Sequence, residues 1–185
     1  AFRDTFPDTP LLGAYGTGKS RRGPGKTSCS KTPHSPYCSK ATMFNPSREQ
    51  VRLFFCDAWK KHVDRLPLVG AEVTAADIAA RHPEYHPLLN DPKAAVDKEW
   101  TPEGGAMNPF LHLSLHLAIH EQVSIDQPPG IRMAFEQLRA RMDPHDAEHV
   151  LIDCLGETIW RAQSQGQPMD AMAYVDAVKR KSSLI

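Results

Sequence analysis

Residues 109–126 read PFLHLSLHLAIHEQVSID, an apolar helix pattern interrupted by three histidines spaced four residues apart. At about 100° of rotation per residue, His112 and His116 lie within about 40° of each other, and His120 lies farther round the helix. Leucines flank the histidines on both sides, so the segment is apolar around almost its whole circumference. Such a helix is typical of the centre of a bundle. The pattern therefore predicts a central helix with His112 and His116 directed inward and His120 on its shoulder.

A recurring signal elsewhere in the chain, a capping residue followed by proline, marks further helix starts. The side chain of the first residue can accept from free N–H groups of the first turn, and proline at the first helical position loses no hydrogen bond. The pairs are Asn45-Pro46, Asp91-Pro92, Thr101-Pro102, Asn108-Pro109 and Asp143-Pro144. Long helices are predicted over about 47–64, 109–126, 131–142, 144–163 and 170–181, with a shorter one after Thr74 and single turns in the proline-rich stretch 82–92. The predicted fold is all-α, a compact antiparallel bundle of about five helices with short extra turns.

The first 42 residues differ in composition from the rest. No acidic residue occurs from Thr9 to Arg48, while Gly, Ser, Thr, Pro and basic residues dominate. Such a segment cannot bury enough apolar surface to fold alone. We therefore expect residues 1–42 to be a disordered basic tail or a non-native extension, and residues 43–185 to form a single helical domain. A bridge or metal clip between Cys29 and Cys38 is left open.

Composition also limits the classes of partner. The 22 basic and 22 acidic residues balance, which argues against nucleic acid as a partner. No apolar run approaches the roughly 18 residues of a membrane-spanning helix. The four cysteines are too scattered for a disulfide scaffold, which favours a reducing cytoplasm. A homodimer through an exposed helix face is left open.

The histidines of the central helix face a second polar stripe in the predicted helix 144–163. Histidines four residues apart on a helix can reach one metal ion, as in zinc and iron sites. We therefore predict a site for Zn, Fe or Mn between the two helices, and if the protein is an enzyme, the chemistry would be metal-activated water or oxygen chemistry. The candidate ligands are His112, His116, His149, Asp153 and Glu157, with His120 and His145 as weaker candidates.

The same residues allow a second interpretation without metal. His112 and His116 could hydrogen-bond to Asp153, Glu157 or backbone groups as a polar core network in a non-enzymatic interaction or structural domain. The stretch HPEYH, residues 82–86, holds another pair of histidines four apart. Because prolines interrupt it, a turn with Tyr85 packed inward is favoured there over a ligand role.

Four segments resemble a bacterial family of uncharacterised proteins, domain-of-unknown-function family 1841. They read MFNPSREQVRLFFCDAW, HPEYHPLL, NPFLHLSLHLAIHEQVSIDQPPGI and CLGETIWRAQ, and the resemblance runs from Met43 to about Lys181. It implies no particular activity. Glutamate is common in that family where this chain has His120, which makes His120 the weakest shared ligand among the three histidines of the central helix.

Overall fold

The computed structural model describes residues 46–100 and 107–184. These residues form eight α-helices and no strands. The helices are α1 (Arg48–Val63), α2 (Ala71–Ala80), α3 (His86–Leu89), α4 (Pro92–Asp97), α5 (Pro109–Ile125), α6 (Ile131–Arg139), α7 (Pro144–Gln165) and α8 (Ala171–Leu184). A 3₁₀ turn, Pro83–Tyr85, precedes α3.

The all-α fold class is confirmed, but the prediction of about five helices is wrong. The proline-rich stretch forms α3 and α4, because Pro87 and Pro92 occupy first-turn positions that need no N–H donor. The shorter helix after Thr74 begins earlier, at Ala71, which leaves Thr74 in its interior. The expected tail, residues 1–42, lies outside the described residues, as do Cys29 and Cys38.

Capping residues position the helices that carry the histidines. Asn108 accepts from the backbone N–H groups of the first turn of α5, and Asp143 accepts from the N–H of His145 in α7. Asp91 does the same for α4. The pair Asn45-Pro46 does not start α1, because Ser47 caps that helix in a reciprocal pair with Gln50. The remaining pair, Thr101-Pro102, lies outside the described residues.

Two apolar cores meet on α5. The N-terminal core combines α1 to α4 with one side of α5, and the C-terminal core combines the other side of α5 with α6, α7 and α8. On α5, Phe110 and Leu113 belong to the first core, and Leu115 and Ile119 belong to the second. The prediction of a central helix is therefore confirmed, since this helix is apolar on two sides.

A buried cation fixes α4 within the N-terminal core. Arg52 is 2 % exposed, and its Nη1 donates to the backbone carbonyls of Ala95, Val96 and Lys98 at 2.9–3.1 Å. Its guanidinium also lies 4.8 Å from the centre of the Trp100 ring. These bonds satisfy carbonyls at the C-terminal end of α4, where a positive charge is favoured by the helix dipole.

Cys56 and Cys154 are both free and buried among apolar residues of the two cores. None of the helices in residues 46–100 and 107–184 combines the length and the apolar character that crossing a membrane would require.

Candidate metal centre

Five histidine rings meet where α5 lies between the two cores. They come from the residue that follows the C-cap of α2, from α5 and from the first turns of α7: His82, His112, His116, His145 and His149. Four of them, all except His145, each offer a ring nitrogen such that the four atoms lie within 4.8 Å of one another. The group therefore joins three separate chain segments around one point.

Three of the four rings are almost completely buried. His82, His112 and His116 are 2 %, 7 % and 0 % exposed. The Nε2 atom of His112 lies 3.0 Å from His82 Nε2 and 3.2 Å from His116 Nε2. The fourth ring, His149, is partly exposed, but its Nε2 is buried and has no hydrogen-bond partner among the described residues. Imidazole nitrogens at this spacing need either shared protons or a cation between them.

Hydrogen bonds on the outer side of two rings settle where their protons lie. His82 Nδ1 donates to the Ile78 carbonyl at 2.8 Å, and a carbonyl can only accept. His116 Nδ1 lies 2.7 Å from Glu148 Oε2 and donates to that carboxylate. A neutral imidazole carries one proton, so the Nε2 atoms of His82 and His116 both present lone pairs to His112.

His112 cannot donate to the Nε2 lone pairs of both His82 and His116 and also find a partner for its own Nδ1. A proton on its Nε2 can be directed at only one of the two neighbours, and the buried Nδ1 is then left as an acceptor without a donor among the described residues. A proton on Nδ1 leaves that N–H without an acceptor and brings three lone pairs together at Nε2. Without an ion, His112 Nε2–H can donate to His116 while His145 Nε2–H, 3.2 Å away, donates to His82, which still leaves His112 Nδ1 without a donor. A cation at the point where the Nε2 atoms converge would instead bind the inward lone pairs directly.

Burial favours the neutral form of four of the five imidazoles, those of His112, His116, His145 and His149. It lowers the pKa of His112 to about 3 and that of His116 to about 4, with further lowering from the neighbouring histidines. Burial also lowers the pKa values of His145 and His149, again with help from a neighbouring histidine. Neutral imidazole is the form that binds metal, so these lowered pKa values favour cation binding by His112, His116 and His149 at pH 7.

A buried carboxylate adjoins the cluster on one side. Glu148 of α7 is 4 % exposed. Its Oε2 accepts from His116, and its Oε1 lies 3.0 Å from Arg81 Nη1 and 3.1 Å from His120 Nε2. Burial alone would raise the pKa of Glu148, but the hydrogen bonds from His116, His120 and Arg81 outweigh it and hold that pKa well below its usual range. Glu148 is therefore ionised at pH 7.

The structure brings some of the predicted ligands together and leaves others apart. His112, His116 and His149 belong to the group of four. His145 lies beside it, with its Nε2 3.2 Å from His82 Nε2. His120, whose side chain is 38 % exposed, reaches Glu148 and lies outside the group.

The two predicted carboxylate ligands lie outside the group of four. Asp153 is exposed, with its Oδ2 3.8 Å from Lys181 Nζ, and Glu157 pairs with Arg161 at 2.9 Å. Each step of four residues along α7 turns the side chain by about 40° and advances it by about 6 Å. Asp153 and Glu157 thus lie one and two steps past His149, progressively farther from the histidines.

Two residues of the site did not appear among the sequence-predicted ligands. The prolines around His82 predict a turn, and only the packing of α2 against α5 brings the ring of His82 to the cluster. Glu148 had a detectable signal, because His145, Glu148 and His149 are spaced i, i+3 and i+4 and so share one helix face. That spacing predicts a carboxylate beside the two histidines more directly than the spacing of Asp153 and Glu157.

Comparison with known proteins gives one match. A family model described as a domain of unknown function (DUF1841) matches residues 47–180. The search of curated proteins and the search of solved structures gave no match. The family predicted from sequence is therefore confirmed, and the chemistry of the site has to be argued from its geometry.

Proposed function

The chain belongs to the DUF1841 family, whose description assigns no activity, and we propose that it binds one transition-metal ion through its buried histidines. The ligands are His82, His112, His116 and His149. The observation that carries the proposal is the convergence of four ring nitrogens from three chain segments within 4.8 Å of one another, with the Nε2 atoms of His82 and His116 both facing His112 Nε2. Both rings donate their outer N–H to an oxygen, as metal-binding histidines almost always do.

The spacing of the nitrogens supports a compact first-row ion. Two ligands at about 2.0–2.1 Å from a tetrahedral ion lie about 3.3 Å apart. The Nε2–Nε2 distances of 3.0 and 3.2 Å around His112 are close to that value. The four nitrogens as a group lie within 4.8 Å of one another, so a tetrahedral ion would draw the more distant ones closer together.

The ligand type favours some metals over others. Imidazole suits zinc, iron, copper and nickel, whereas manganese, magnesium and calcium favour oxygen ligands. The group of four contains only imidazoles. We therefore rank zinc and iron above manganese. When bound, such an ion would supply Lewis-acid activation of water or, for iron, chemistry with oxygen.

The alternative function, a non-enzymatic domain stabilised by a polar network, has one observation in its favour. The bonds that Glu148 accepts from His116 and Arg81 form a satisfied network without any ion. That network leaves His149 Nε2, which an ion in the cluster would engage, without a partner among the described residues. Such a buried nitrogen costs roughly 1–3 kcal/mol, which favours the metal-binding proposal. His112 Nδ1 has no partner either, but an ion bound at His112 Nε2 leaves it unchanged, so it does not separate the two functions.

Elemental analysis of protein purified without a histidine tag tests the proposal. We expect about one zinc or iron ion per chain, and loss of that ion in a His116→Ala variant. His62→Ala is the matched control, since His62 is exposed on α1 and its ring contacts Trp59. Metal-free protein whose unfolding temperature does not respond to zinc, iron(II) or manganese would contradict the proposal and favour the polar network.

A further inference from the structure

Glu148 occupies a position beside the histidine cluster that a ligand would not take. Both of its oxygens are engaged on the side away from the converging nitrogens, Oε2 by His116 Nδ1 and Oε1 by Arg81 and His120. The group of four ring nitrogens does not include it. Glu148 therefore acts on an ion only indirectly, through its hydrogen bond with His116.

The contact with Glu148 determines which nitrogen of His116 faces inward with a lone pair. A neutral imidazole has two tautomers, and the one with its proton on Nε2 would place a lone pair at Nδ1 against the carboxylate at 2.7 Å. That arrangement loses a charge-assisted hydrogen bond and adds repulsion. The carboxylate thus selects the tautomer whose Nε2 can bind a metal.

Two further groups hold the carboxylate in place. Arg81, at the end of α2, donates from Nη1 to Glu148 Oε1, and its Nη2 lies 3.3 Å from Asp77 Oδ2. His120, on α5, reaches the same oxygen of Glu148. Because the partners of Glu148 come from α2 and α5, the carboxylate cannot rotate away from His116 without breaking contacts with these two helices.

We propose that Glu148 is a positioning residue that fixes the tautomer and ring orientation of His116 and supplies the negative charge that favours a divalent cation in the cluster. The second part rests on the proposed function. The first part concerns the protein without metal and stands independently.

A Glu148→Gln substitution separates these parts. It keeps the side-chain volume and removes the charge. We expect zinc affinity, measured by competition with a chromophoric chelator, to fall about 10–100-fold, as is typical for loss of an outer partner of a metal ligand. Asp153→Asn on the same helix is the matched control, because Asp153 is exposed and faces Lys181. We expect that variant to bind zinc within about twofold of the unmodified protein.

The tautomer of His116 can be measured directly, and a general loss of stability would not change it. In metal-free protein labelled with ¹⁵N-histidine, the unmodified chain should give a single His116 tautomer protonated at Nδ1. Glu148→Gln should give a mixture, and Glu148→Asp, which keeps the charge, should restore the Nδ1–H form. If Glu148→Gln does not fold, Glu148→Asp carries the test, and we expect it to lose less than 10-fold in zinc affinity.

The outcomes separate the inference from the proposed function. An unmodified protein that binds no zinc overturns the metal site, while the tautomer comparison still decides whether Glu148 positions His116. Unchanged zinc affinity together with an unchanged tautomer in Glu148→Gln would overturn the inference and leave the metal site intact. A Glu148→Asp protein that loses the Nδ1–H tautomer would also overturn it.

Discussion

Two pairs of histidines with the same spacing behave differently. His112 and His116 are four residues apart on the regular helix α5, and both rings enter the cluster. His82 and His86 are also four apart, but only His82 reaches it. The ring of His86 instead stacks on Trp59 with centres 4.0 Å apart.

The backbone between the members of each pair explains the difference. Residues 112–116 are helical throughout, so a spacing of four turns the second side chain by only about 40°. His82 has φ −122° and ψ 67°, and the 3₁₀ turn Pro83–Tyr85 follows it. His82 therefore leaves the helical path before His86 begins α3. A spacing of four brings side chains together only where the helix between them is unbroken.

Removal of a ligand from the regular pair should give the largest effect. His116→Ala deletes a proposed ligand and leaves Glu148 Oε2 without its donor. We expect metal affinity to fall by more than the 10–100-fold that outer-partner changes typically cost. Isothermal titration with zinc measures the change, and a loss smaller than 10-fold would remove His116 from the ligand set.

Removal of the metal should lower the stability of the whole protein. An ion whose free concentration is 100 times its dissociation constant stabilises the folded state by about 2.7 kcal/mol. For a domain of this size that corresponds to a fall of roughly 5–10 °C in unfolding temperature on chelation. Differential scanning calorimetry with and without EDTA measures it. The same scan on His116→Ala should show no response to EDTA, and a shift that persists there would place the ion elsewhere.

Acid should destabilise the metal-free protein through the buried pair. The pKa values of His112 and His116 in the folded state, about 3 and about 4, lie below the unfolded value near 6.5. The unfolded chain therefore binds more protons, and stability is lost as the pH falls below about 6.5 towards those folded values. We expect a loss on the order of 1 kcal/mol for each histidine between pH 7 and pH 5.5. Urea unfolding at the two pH values measures it, and a His112→Gln/His116→Gln variant should lose most of this dependence.

The interrupted pair offers a test with two opposite readouts. His82→Ala should weaken zinc binding, because His82 Nε2 lies 3.0 Å from His112 Nε2. His86→Ala should leave zinc affinity unchanged and lower stability by about 1–2 kcal/mol, since it loses the Trp59 stack and a 2.9 Å bond to the Ala79 carbonyl. Equal losses of zinc affinity in the two variants would contradict the division between His82 and His86.

The site residues that could be predicted from the sequence are those that lie on long, regular helices. Rotation by 100° per residue predicts that His112 and His116 share one face of α5. The start signal Asp143-Pro144 places His149 on another predicted helix. Neither signal could supply His82, because the approach of α2 to α5 depends on non-local packing of the N-terminal core. For the same reason the all-α class followed from caps and apolar periodicity. The short helices α3 and α4 did not, because their proline-rich sequence also fits single turns.

The smallest effect is expected at the carboxylates that sequence spacing suggested as ligands. Asp153 and Glu157 continue the four-residue spacing of α7 beyond His149, but their side chains are 74 % and 44 % exposed and face Lys181 and Arg161. Exposed ion pairs of this kind contribute about 0–1 kcal/mol. A double variant, Asp153→Asn/Glu157→Gln, should therefore keep zinc affinity within about twofold and stability within about 1 kcal/mol. A clear loss of zinc in this variant would mean that the ion lies farther along α7 than the four histidines indicate.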